Sequence, residues 1–199
     1  MTFLMMISRG IDRVNQSVGI FTTWLILATT LISAGNAIVR KAFDLSSNAL
    51  LEIQWYLFAA VFLLASGYTF LKNAHVRIDF VSSRLSPRAR NWVDVVGIVT
   101  VLFPFCLITI ALSWPLFAKA WEMGEMSSNA GGLIRWPVYL MIPLGFALLM
   151  LQGLSELIKR VAFLRGQGGD SLAHQESDEE KLALELLAEV EAKAPKGKA

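Results

Sequence analysis

The chain has 199 residues, of which 55% are hydrophobic and 17% charged, with a net charge of +2. That is too apolar for an ordinary soluble domain, and the charge balance implies no nucleic-acid partner. One cysteine, Cys106, excludes an intramolecular disulfide and thiol-pair redox chemistry.

The charges are segregated rather than mixed. Arg13 and Arg40 bracket an uncharged run over 14–39, Glu52 and Lys72 one over 53–71, Asp94 and Lys119 one over 95–118, and Arg135 and Glu156 one over 136–155. A hydrocarbon core of about 30 Å takes roughly 20 residues to cross at about 1.5 Å each. All four runs are long enough. The sequence therefore predicts an all-α integral membrane bundle of four transmembrane helices, with spans at about 18–39, 50–71, 91–115 and 136–157 inside a membrane domain of 18–160. Residues 1–17 read as an N-terminal interfacial amphipathic helix and 161–199 as a charged, partly helical cytoplasmic tail.

At the N-terminus, Leu4, Ile7, Ile11, Val14 and Val18 recur every three or four residues, while Arg9, Asp12, Arg13 and Gln16 fall on other faces. That is the pattern of a helix lying along the cytoplasmic membrane surface; the alternative is the first span protruding. The first run exceeds the roughly 7–15 apolar residues of a secretory signal, so it is expected to be retained despite the small-residue stretch SAGNA at 33–37. The second helix is predicted to start with Ser47 or Asn48 as N-cap, placing Glu52 in a first turn where the helix dipole favours a carboxylate. The third opens on Ser86 as N-cap with Pro87 next and Trp92 at the interface, and Pro104 is expected to bend it. RWPVYLMIP (135–143) opens the fourth, with Trp136 and Tyr139 as interfacial anchors. Beyond the flexible GQGG at 166–169, the tail holds half of the chain's sixteen acidic residues and a capping box, Ser177 with Glu180.

Inside the spans the polar residues are mild: Thr29, Thr30, Ser33, Asn36, Ser66, Thr69, Thr109, Ser113 and Gln152. They are expected to bridge helices. No phosphate-cradling glycine loop occurs, and the two histidines, His75 and His174, lie outside the spans, so neither nucleotide hydrolysis nor intramembrane haem is implied. No cofactor and no metal are predicted. Lys and Arg near the span ends divide ten to four in favour of the side holding both termini, which orients both termini to the cytoplasm.

Two loops hold the remaining chemistry. KNAHVRIDFV (72–81) places His75 and Asp79 four apart, with Arg77 between them. A metal or acid–base site would need further ligands, and the neighbours are mainly cations, so the stretch reads as an orienting turn. SWPLFAKAWEMGEMSSNAGGLIRWP (113–137) combines Trp114, Trp121 and Trp136 with Glu122 and Glu125 three apart. A binding loop and a belt-anchored turn remain equally open there.

In order and spacing, these residues resemble the small membrane subunit of the tripartite ATP-independent periplasmic (TRAP) transporters, the DctQ-like family. The likeness runs over about residues 10–160. It is strongest in EIQWYLFAAVFLLASGYTFLKNAHVRIDFVSSRLSPRARNW (52–92) and WEMGEMSSNAGGLIRWPVYLMIPLGFALLMLQGLSEL (121–157). The motifs are the acidic start of the second span, the His75-x-Arg77-x-Asp79 turn, Gly124, Glu125 and Ser127 before the last span, and Pro143 with Gly145 inside it. The tail over 170–199 has no counterpart in that pattern. The resemblance implies a non-catalytic subunit in the bacterial inner membrane, packed against a large translocating subunit. It also implies a periplasmic binding protein and sodium-coupled uptake of an organic acid, with membrane lipid as the remaining partner. GGLIRWP hints at a branch associated with keto and hydroxy acids. Glu52, Gln54 and Trp55 are the candidates for contact with the large subunit; Trp121, Glu122, Glu125 and Arg135 are those for the binding protein. The alternative is a free-standing four-span membrane enzyme with its site in a flanking loop. It is weakened because His75 with Asp79, and Glu122 with Glu125, are predicted on opposite sides of the membrane. An autonomous exporter would want an intramembrane carboxylate, which the spans lack.

Overall fold

The computed structural model describes residues 2–44, 47–73, 85–167 and 187. His75, Arg77, Asp79 and the Ser177–Glu180 capping box lie outside the described residues. Helix α1 runs Thr2–Phe43, α2 Asn48–Leu71, α3 Pro87–Gly97, α4 Phe103–Glu122 and α5 Trp136–Leu164, with a π-helical turn, Ile98–Leu102, joining α3 to α4. Among the described residues four helices are long and apolar enough to cross a membrane, α3 to α4 counting as one of 36 residues. Helices α2 and α5 form the central pair. Helix α1 packs on both, and α3 and α4 pack on α5.

Helix starts follow local chemistry. The Ser86 hydroxyl accepts from the Ala89 N–H at 3.3 Å and Pro87 takes the first helical position, where its missing N–H has no intrahelical duty. Ser47 is the N-cap of α2 without a side-chain bond, and no acid lies in the first turn of that helix. Glu52 sits one turn too far along to cap it and turns sideways instead, which corrects the dipole role expected from the sequence. Pro104 acts through the π turn. A proline ring needs room against the preceding turn and offers no N–H, and one extra residue in the turn supplies that room, with the Phe103 N–H reaching back to the Ile98 carbonyl.

Helix α1 is unbroken through residues 17 and 18, so the N-terminal stretch and the first span form one helix of 42 residues, about 63 Å long. Its apolar stripe faces outward, with Leu4 43% and Val14 51% exposed. What faces the bundle is Ser8 and Asn15, both fully buried, with Asp12 between them.

The packing inverts the pattern of a soluble protein. Large side chains cover the outside, among them Trp24, Leu31, Phe62, Val101 and Leu112, whereas Ser8, Asn15, Thr22, Glu52, Gln152, Ser155, Glu156 and Arg160 are buried. In lipid, apolar area gains nothing by facing another helix, so close backbone approach and polar contacts hold the helices together. Ser33 donates to Gln54 Oε1 at 3.1 Å between α1 and α2, and Asn15 to Gln152 Oε1 at 3.0 Å between α1 and α5. Thr29, Thr30, Thr69 and Thr109 depart from the bridging role expected of them. Each hydroxyl satisfies a carbonyl four residues back on its own helix.

Gly145 marks a close backbone-to-backbone crossing of α2 and α5. A Cβ there would lie 2.6 Å from the Leu63 carbonyl oxygen and 2.8 Å from its carbon, backbone atoms that cannot step aside. Gly145→Ala should therefore push α2 and α5 apart and cost about 1–3 kcal/mol, read as a lower midpoint in detergent-titrated unfolding. Gly35→Ala, where a Cβ meets nothing within 4 Å, should leave the midpoint unchanged.

Candidate functional site

The loop between α4 and α5 is built as a small rigid plate. Helix α4 stops at Gly124, whose φ of 58° is open to a residue without a Cβ. The Gly124 N–H bonds the Trp121 carbonyl at 3.3 Å and the Glu125 N–H reaches the Ala120 carbonyl at 3.0 Å, the paired closure that satisfies a helix end. The chain then doubles back. Met126 and Ile134 form an antiparallel bridge, the Ser127 N–H bonds the Leu133 carbonyl at 2.9 Å, and the Arg135 N–H bonds the Glu125 carbonyl at 2.9 Å. A turn at Asn129–Gly132 closes it, with Gly131 at φ 72° in the third position.

Glu52 holds this plate from below. Its carboxylate, 3% exposed, accepts from the Ser127 hydroxyl, from Asn129 Nδ2 at 2.8 Å and from the Leu133 N–H at 2.7 Å. Asn48, one turn earlier on α2, donates to the Ala130 carbonyl at 2.9 Å. Gly132 is needed because a Cβ there would lie 2.5 Å from Ser127 Cβ and 2.9 Å from Glu52 Oε1. Across the plate Arg135 pairs with Glu125 at 3.0 Å, about a third exposed on each side. That hydrogen bond is the main reason the Arg135 pKa lies above its ordinary value. At the margin the Trp121 and Trp136 rings meet edge to face at 4.6 Å.

The structure thus brings Trp121, Glu125 and Arg135 together on one plate, with Glu122 one residue past Trp121 and exposed. It separates the other predicted trio. Glu52 points into the loop, Gln54 accepts from Ser33 on α1, and Trp55 stands 63% exposed. The sequence does not single out Ser127 and Asn129 as Glu52 partners, nor Asn48 as a second support of the loop. The available signal was Asn48 and Glu52 four apart on one helix face, opposite a short Ser-x-Asn turn.

A second polar constellation lies at the far end of the bundle. Asp12 on α1 accepts from Ser155 at 2.7 Å, from Gln152 Nε2 at 2.9 Å and from Lys159 Nζ at 2.8 Å. Lys159 also reaches Glu156 at 2.9 Å, and Arg160 spans Glu156 and Asp94, the latter at 3.0 Å. Among the described residues Asn15 Oδ1 has no conventional hydrogen-bond partner, and it lies against Gly67, where a Cβ would be 2.1 Å away. The carboxylates are already bonded to Lys159 and Arg160, and no group of three metal-ligating side chains converges among the described residues. This cluster clamps helices.

Residues 29–163, two thirds of the chain, match the family described as "Tripartite ATP-independent periplasmic transporters, DctQ component". No curated protein and no solved structure gives a match.

Proposed function

We propose that this chain, which belongs to the DctQ component family of the tripartite ATP-independent periplasmic transporters, is the non-catalytic small permease subunit of such a transporter. It sits in the bacterial inner membrane and packs beside a large subunit that carries substrate and sodium. A periplasmic binding protein delivers an organic acid to the pair. The observation that carries the reading is the extent of the family match, which takes in the last third of α1, the other spans and the whole α4–α5 loop.

In this reading both termini are cytoplasmic, the His75-Arg77-Asp79 turn lies on that side, and the plate faces the periplasm. Of the four candidates Trp121, Glu122, Glu125 and Arg135, the Glu125–Arg135 pair then meets the binding protein, and Trp121 and Glu122 stand beside it in the α4–α5 groove. A plate already ordered by Glu52 binds without the entropic cost of fixing a free loop. Toward the large subunit, Trp55 continues into Phe58 and Phe62 at spacings of three and four, all more than 60% exposed. That ridge takes over the role the sequence gave jointly to Glu52, Gln54 and Trp55.

The experiment is co-purification. Tagged chain extracted in mild detergent from its native membrane should bring down one much larger multi-span protein at near-equal stoichiometry. Trp55→Ala combined with Phe58→Ala should reduce that recovery several-fold while the chain itself remains folded. Recovery of monodisperse chain alone would overturn the subunit assignment.

A further inference from the structure

A groove opens between the last turns of α4 and the start of α5, lined by Phe117, Ala118, Trp121, Glu122, Trp136 and Leu140, with a volume of about 440 Å³. Three of the six are aromatic, and their rings form a connected row: Phe117 to Trp121 at 6.3 Å and Trp121 to Trp136 at 4.6 Å. The carboxylate of Glu122 stands at the rim. Among the described residues neither Glu122 nor Lys119, one turn earlier on α4, makes an ion pair or side-chain hydrogen bond. Earlier on the same helix the flank is apolar and exposed, Leu112 at 75% and Trp114 at 56%.

Each element selects for the same chemistry. Electron-rich ring faces attract a cation and hold it more strongly where water is scarce. Trp rings also concentrate at headgroup depth. A carboxylate adds a formal partner for that cation. Lys119 does not line the groove itself, but it is three residues from Glu122 on the helix, about 5–6 Å between Cβ atoms, so a positive group stands beside the negative one that does. A zwitterionic headgroup presents the complementary pair, and its acyl chains would follow the apolar flank. We propose that this groove seats an aminophospholipid, the ammonium of phosphatidylethanolamine lying among Trp121, Trp136 and Glu122 and its phosphate at Lys119. The inference requires that the chain spans a membrane and does not depend on the subunit role. Its failure therefore leaves the co-purification result untouched.

The test uses the full chain in nanodiscs of phosphatidylglycerol containing a small fraction of either brominated phosphatidylethanolamine or brominated phosphatidylglycerol, since bromine quenches neighbouring tryptophan. The ethanolamine lipid should quench in excess, with a preference of about fivefold, the scale of one ammonium–ring contact. Glu122→Gln, at an exposed position, should abolish that preference. Lys119→Gln should weaken both lipids equally, because both carry phosphate. Trp121→Phe with Trp136→Phe should remove the excess signal and so locate it. Equal quenching by the two lipids would overturn the proposal, as would a preference that survives Glu122→Gln. Loss of the excess on adding free ethanolamine would make the occupant a soluble amine. Its loss when the large subunit is present would make the occupant a cation of that partner.

Discussion

Arg160→Met should be among the most damaging single substitutions in this chain, lowering stability by about 3–5 kcal/mol. Arg160 is 1% exposed and bonds two carboxylates, Glu156 on its own helix and Asp94 on α3. Methionine fills similar volume, so the loss would come from charge. Glu156, 4% exposed, would keep only Lys159 and Gln152 as partners. Removing one side of a buried pair strands the other in a poor solvent for ions, which costs more than the pair contributes when whole. The sign is checked by the double variant: Glu156→Gln in the Arg160→Met background should recover part of the loss, because it removes the stranded charge. Detergent-titrated unfolding of the four chains of that cycle gives the coupling directly. An Arg160→Met chain as stable as the parent would show that the cluster is solvated.

The same end of the bundle explains why α1 stays attached over its first turns. Leu4, Ile7 and Val14 point outward, so apolar packing does little to hold them on α5. Asp12 instead receives three bonds from Gln152, Ser155 and Lys159, and the Ser8 and Ser155 hydroxyls meet at 2.7 Å. Low dielectric strengthens each of these contacts, and it equally raises the cost of leaving one unmade.

How much of this was legible in sequence depends on what each feature rests on. The spans were readable because an uncharged run of twenty or more residues is a property of composition, and the Ser86–Pro87 start because capping is local. The N-terminal stretch shows the limit. Its apolar period of three and four is real, yet the parallel period of Ser8, Asp12 and Asn15 makes the contact, matched on α5 by Gln152, Ser155 and Lys159. A soluble-protein reading takes the apolar stripe as the buried one. In lipid that preference reverses, and a single sequence does not say how far the lipid reaches. Glu52 shows the other limit. Its partners lie 75–81 residues away on a loop whose shape depends on Gly124, Gly131 and Gly132, and no local rule connects them.

Glu52→Ala should release the α4–α5 plate while leaving the spans folded. The substitution removes the acceptor of three hydrogen bonds, from Ser127, Asn129 and the Leu133 N–H. Bonds to a charged group are worth about 1.5–3 kcal/mol each, part of which water returns once the loop opens. A net loss near 2.7 kcal/mol corresponds to roughly hundredfold faster hydrogen exchange at the Leu133 and Arg135 amides, with α2 and α5 amides unchanged. Gly132→Val should give the same pattern from the opposite side, because its Cβ would collide with Ser127 and press on the Glu52 carboxylate. Glu52→Gln should fall between, since one of its two acceptor sites becomes a donor facing donors. Association with the cognate binding protein is the second readout. If both Glu52→Ala and Gly132→Val open the loop and weaken association, Glu52 acts by positioning the plate. If association fails in Glu52→Ala with the loop amides still protected, Glu52 touches a partner directly. An open loop with undiminished association would remove the plate from the docking role altogether.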